Sequence, residues 1–128
     1  MDVGIGTYTE MGFDEAVEAT RAALAERGFG ILHEIDLTAT LKTKIDKDIE
    51  RVLILGACNP GFAGDAFDVS KDVALLLPCN VVVRESAGGC VIEAQNPALL
   101  AQVISGGLQD MADELSVQMR SMMKDLTR

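Results

Sequence analysis

Tryptophan is absent, and tyrosine occurs once and phenylalanine four times among 128 residues, so large aromatic rings cannot dominate the core. The interior must be assembled from Leu, Ile, Val, Ala and Met. Histidine occurs once, as His33, which excludes any His-rich metal site and any catalytic pair of imidazoles. Basic residues are outnumbered 11 to 20 by acidic ones, for a net charge of −9. A field of that sign repels phosphate backbones and anionic lipid surfaces, so neither nucleic acid nor membrane is an expected partner. No apolar run approaches the ~20 residues of a membrane span. Met1 to Gly6 has no basic segment leading into an apolar one, so no signal peptide is read. The three cysteines are an odd number in a chain large enough to need no staples, which argues against a secreted disulfide framework and for the cytoplasm.

No linker, charge block or low-complexity tract divides the chain, so residues 1–128 are read as one domain. Val3 to Tyr8 predicts a strand. Phe13, Ala16, Val17, Thr20 and Leu24 recur at helical spacing, with Gly28 placed to end that helix. Ile31, His33 and Ile35 alternate as a second strand. Leu37, Leu41 and Ile45 mark a short helix capped by Asp36 or Thr38. The unbroken aliphatic run Val52 to Leu55 predicts a central strand buried on both faces. Asn59-Pro60 is a cap followed by proline at the first helical position, for a helix burying Phe62, Ala63, Ala66 and Phe67.

Pro78 cannot donate to a ladder, so the next strand is placed after it, through Val81 to Val83. Ala87-Gly88-Gly89 makes a hairpin turn into Cys90 to Ala94. Asn96-Pro97 repeats the cap, and Gly106-Gly107 precedes a last helix with the stripe Leu108, Met111, Ala112, Leu115, Met119, Met122 and Leu126. The sum is an α/β (α+β) two-layer sandwich, a mixed sheet of about five strands with helices packed on it.

A Cys-Asn pair occurs twice after an aliphatic run, as Cys58-Asn59 and Cys79-Asn80. Cys58 stands between a buried strand and a helix N-terminus, where free N–H groups and the helix dipole favour a thiolate or a bound anion. Cys58 is therefore the candidate nucleophile, and Lys42, Cys58, Asn59, Cys79 and Asn80 are the candidate ligand-binding residues. Cys90, in a hairpin strand, is expected to pack. Lys42 and Lys44 offer point charges for an anionic group or, more plainly, a solvated helix face paired with Asp46, Asp48 or Glu50. The cysteines are 21 and 11 residues apart, which matches no zinc spacing, so no metal site is expected. No cofactor fingerprint is present. Met111, Met119, Met122 and Met123 pack a core by default, and Met122-Met123 widens the stripe enough to suggest a homodimer contact.

Gly28-Phe29-Gly30, Ile35-Asp36, Ala39-Thr40-Leu41-Lys42 with Lys44, Ile54 through Pro60, and Leu76 through Val83 resemble the bacterial and archaeal family called domain of unknown function 302. The resemblance runs from about Val3 to Leu126. It implies a two-layer α/β sandwich, often dimeric, and its pattern includes Lys42, Cys58, Asn59, Pro60, Cys79 and Asn80. It implies no activity. The functional expectation is a small-ligand-binding module around the two Cys-Asn pairs. A thiol-dependent enzyme of redox or sulfur transfer, or a purely structural dimer, stand as alternatives.

Overall fold

The computed structural model describes residues 2–104 and 106–127. Five strands form one sheet in the order β1-β5-β4-β3-β2, with β1 Gly4–Thr9, β2 Gly30–Asp36, β3 Val52–Cys58, β4 Cys79–Ser86 and β5 Gly89–Gln95. Every neighbouring pair is antiparallel. The sandwich of five strands and packed helices is as expected, but the sheet is antiparallel rather than mixed. A helix between two strands suggests a parallel crossover, and here it does not deliver one. The segments after β2 and β3 contain helices, yet each returns the chain alongside the strand it has just left. Only α1, Phe13–Glu26, crosses the whole sheet, carrying the chain from one edge strand to the other.

One face of the sheet is covered. Its inward side chains, including Leu55, Ala57, Val81, Val83, Cys90, Ile92 and Ala94, pack against Ala16, Val17 and Leu24 of α1. Leu115, Met119, Met122, Met123 and Leu126 of α5, Gln109–Leu126, complete the same cluster. Met122 and Met123 are therefore core residues, 0% and 4% exposed, and not the dimer contact their adjacency suggested. The α5 stripe is wide because the helix must fill against β1 and α1 together.

A smaller cluster of Ala66, Val73, Ile104 and Leu108 lies apart from the main core. It is formed by α3 (Pro60–Val69), the 3₁₀ turn Lys71–Leu76, α4 (Ala98–Val103) and the segment leading into α5. Of the residues expected to be buried in α3 only Ala66 is, and Phe67 is 40% exposed beneath the Lys71 ammonium, 4.1 Å from the ring centre.

The opposite face carries no part of either cluster. Alternation places Ile35, Ile54, Val82 and Val91 there, half-buried or exposed. β3 is thus one strand in from the edge and faces the core on one side only, while β4 holds the centre. Glycines in β1 and β3 make room for side chains lying across them. A Cβ on Gly6 would sit 2.6 Å from Glu93 Cγ, and one on Gly56 would sit 2.5 Å from the His33 ring. The β4–β5 hairpin closes through Ala87 and Gly88, both at positive φ (49° and 83°). That is the pattern of a type I′ turn, whose twist matches that of paired strands.

Candidate functional site

Cys58, Asn59 and Cys79 come together because β3 ends where β4 begins. Ala57 is registered against Cys79, and Cys58 follows Ala57, so the two cysteines lie at the same end of the sheet. Both thiols are free. Asn59 is the N-cap of α3, as its sequence position predicts. Its Oδ1 accepts from Phe62 N–H at 3.3 Å, and its Nδ2 donates to the Arg27 carbonyl at 3.5 Å. The second bond ties the start of α3 to the end of α1 beside Gly28, whose φ of 80° is the left-handed C-terminal position expected for it.

Between this sheet end and the smaller cluster lies an apolar cavity of about 40 Å³, space for about three water-sized groups. Cys58, Asn59 and Cys79 line it together with Phe29, Phe62, Leu77, Met111 and Leu115, among others. No carboxylate, ammonium or imidazole is in its wall. The anion reading of this locus therefore loses its electrostatic support: an isolated charge in such a lining has nothing to pair with.

Cys79 is 8% exposed, and burial pushes its thiol up from 9.0 to about 11, with the nearby Cys58 adding to the rise. It is a neutral thiol at physiological pH. Cys58 is half-buried and is the more accessible of the two. Cys90, 0% exposed, packs in the main core as expected, and its thiol is also pushed up, first by burial and then by Glu85, against an opposing effect of Arg51.

The remaining expected site residues lie elsewhere. Asn80 is exposed on the uncovered face, opposite Gly56, because strand alternation turns it away from Cys79. Lys42 sits in α2, Leu37–Ile45, which joins the far ends of β2 and β3. The length of β3, roughly 20 Å, separates that end from Cys58. There Lys42 Nζ is 2.8 Å from Asp46 and 3.1 Å from Asp48, and these carboxylates hold its ammonium above the usual lysine range. It is the ion-paired helix face of the plainer reading. It lines a separate cleft with Lys47, Asp48 and Arg51. His33 lies on the uncovered face over Gly56 and does not line the cavity. Sequence reasoning missed Phe29, Met111 and Leu115 as cavity residues, although the last two stand one helical turn apart on the α5 stripe.

The family description Domain of unknown function DUF302 matches residues 5–126. The chain belongs to the DUF302 family. Its fold is that of a solved structure described as an uncharacterized conserved protein DUF302 from Bacillus stearothermophilus. The two superpose with a TM-score of 0.91 over 100% of both chains at 24% identity. No curated protein matches the sequence. Among the described residues no helix is long and apolar enough to cross a membrane. The DUF302 match spans the strands and helices that build the cavity, so the thiol-lined end of the sheet belongs to the family domain itself.

Proposed function

We propose that this DUF302 domain is a small-ligand-binding module whose site is the cavity walled by Cys58, Asn59 and Cys79. The observation that carries the reading is the composition of that wall: two free thiols set among apolar side chains. Such a site selects an uncharged or soft ligand of a few heavy atoms. Cys58 has no acid or base beside it in the wall, so binding is favoured over thiol catalysis. Three free thiols suit the reducing conditions of the cytoplasm.

The reading is tested by titrating the protein with a graded series of small alkanes and alkyl thiols, followed by NMR. Saturable shifts centred on Ala63, Met111 and Leu115, lost in Ala63→Leu, are the expected result. Shifts spread over the whole surface, or none at any probe size, would refute it.

The module is proposed to act as a homodimer through the uncovered sheet face. Ile35, Ile54, Val82 and Val91 give that face apolar side chains among polar ones in an otherwise strongly acidic protein. Near its middle Arg84 and Glu93 lie 3.4 Å apart. A two-fold contact brings Arg84 of each chain against the partner's Glu93, which makes the face complementary to itself.

A further inference from the structure

We infer that the open cleft between β1 and the second half of α5 is a binding site for a phosphate-type oxyanion, held by Arg120 and Lys124. It is separate from the thiol-lined cavity and stands independently of the reading given to that cavity. The cleft measures about 640 Å³, with Gly6 and Thr7 on its β1 side and Arg120, Ser121, Lys124 and Thr127 on its α5 side. Among the described residues no carboxylate is in its wall.

The charge at this cleft runs against the rest of the chain. Acidic residues outnumber basic ones 20 to 11, so a carboxylate is available to most cations. Arg21, Arg27, Arg51 and Arg84 each have one. Arg120 pairs with none among the described residues, and neither does Lys124. The two stand four residues apart on one face of α5, where like charges repel and cost the helix stability. The helix dipole accounts for Lys124, in the last turn, but fades before Arg120. A doubly charged anion lying between the two side chains turns that repulsion into attraction.

The other polar groups of the wall are compatible with an anion. The Asn96 N–H donates to the Val3 carbonyl at 2.8 Å, in register with Gly4 opposite Gln95. Alternation from there turns the backbone groups of Ile5 and Thr7 toward β5 and leaves the Gly6 N–H on the free edge. Ser121 Oγ accepts from Arg27 at 3.3 Å, so its own proton is left for an acceptor. Thr7 is hydrogen-bonded to Thr127, which bridges β1 to α5. Thr127 in turn donates to the Met123 carbonyl through both N–H (3.1 Å) and Oγ1 (2.8 Å), which occupies a carbonyl that would otherwise repel an anion. The nearest carboxylates are committed: Asp125 to Arg27 at 2.7 Å and Glu93 to Arg84 at 3.4 Å.

These donors select the ligand class. A guanidinium fork takes two oxygens of a phosphate and an ammonium adds a point charge. The two cations match a dianion, so the pairing that an isolated charge lacks in the apolar cavity is present here. The volume is in the range of small-molecule sites, which leaves room beyond the oxyanion for an organic group.

The test is NMR titration of the full chain at low ionic strength with inorganic phosphate, with glycerol 1-phosphate, and with glycerol as the uncharged control. Saturable amide shifts at Gly6, Ser121 and Lys124 are expected with both phosphates and not with glycerol. Arg120→Gln is expected to weaken binding about tenfold and Lys124→Gln about threefold. Lys44→Gln, which removes one exposed positive charge on α2 outside the cleft, is expected to leave it unchanged. All three positions are exposed, and unmoved shifts elsewhere check that each variant keeps the fold. Equal affinity for the two phosphates supports the site as one for the free ion, and tighter binding of the ester supports it as one for an organic phosphate. No saturation with either, an equal loss in Lys44→Gln and Arg120→Gln, or the same shifts with glycerol would each overturn the inference.

Discussion

The neutral state of Cys79 has a consequence for stability that can be measured directly. In the unfolded chain its thiol ionises at the usual 9.0, whereas in the native protein burial holds it to about 11. Between those values the unfolded state gives up a proton that the folded state keeps, so the unfolded state binds fewer protons and stability falls as pH rises. At ~1.36 kcal/mol per pKa unit the full loss is about 2.7 kcal/mol, reached above pH 11, with about half of it present by pH 10. Below pH 9 the contribution is intact. Lysines and the tyrosine titrate in the same range, so the comparison must be internal. Urea unfolding of wild type and Cys79→Ala, both reduced, at pH 7.5 and pH 10 removes those shared effects. The variant starts less stable because it loses buried volume, and the gap to wild type is expected to narrow by about 1.4 kcal/mol at pH 10. With a urea slope of about 2 kcal/mol/M the midpoint difference should close by about 0.7 M. Parallel pH dependences in the two proteins would refute the burial argument.

Other outcomes follow from the same structure. Gly89→Ala puts a Cβ 2.1 Å from the Thr9 carbonyl oxygen, a backbone atom that cannot swing aside; thermal melting should show a loss of roughly 3 kcal/mol, and a loss under 1 kcal/mol would contradict the register of β1 on β5. Gly56→Ala meets only the exposed His33 ring, so the same measurement should give a cost below about 1 kcal/mol despite a comparably short contact. Asn59→Ala removes the α3 cap and should cost about 1 kcal/mol, read as a lower urea midpoint; an unchanged midpoint would deny the cap its role. Ile54→Asp, on the uncovered face, should turn a dimer into a folded monomer by light scattering, and a wild-type protein that is already monomeric would dismiss the sheet-face interface.

The helices α1 and α5 were legible because a covered face leaves a stripe at a spacing of three and four residues. The strand–helix junction at Cys58-Asn59-Pro60 was legible because capping is local chemistry. What failed was strand direction and which face of the sheet a side chain joins. Strand direction after α2 and α3 is decided by whether a helix crosses the sheet, which no residue type reports. Val52 to Leu55 looks buried on both sides because Ile54 is apolar, yet it faces outward, where a partner rather than a helix is proposed to cover it. Lys42 and Cys58 share a family pattern and were grouped on that account, but β3 runs between them. Asn80 follows Cys79 directly, and for that reason its side chain emerges on the other face. Of the five residues expected to form one site, strand register gathers Cys58, Asn59 and Cys79 and sends the other two away.

The position of β1 carries a consequence for synthesis. Strands β2, β3 and β4 each pair with the next strand in the chain, so that part of the sheet assembles as it is made. β1 pairs only with β5, Gly4 opposite Gln95, and so must wait until most of the polypeptide has left the ribosome. A waiting strand is exposed to wrong partners. Its sequence, Gly-Ile-Gly-Thr-Tyr-Thr, is rich in β-favouring residues, and its two glycines are what weaken stray β-pairing. The glycines that let Glu93 lie across the finished sheet also keep the nascent edge from sticking before that sheet exists.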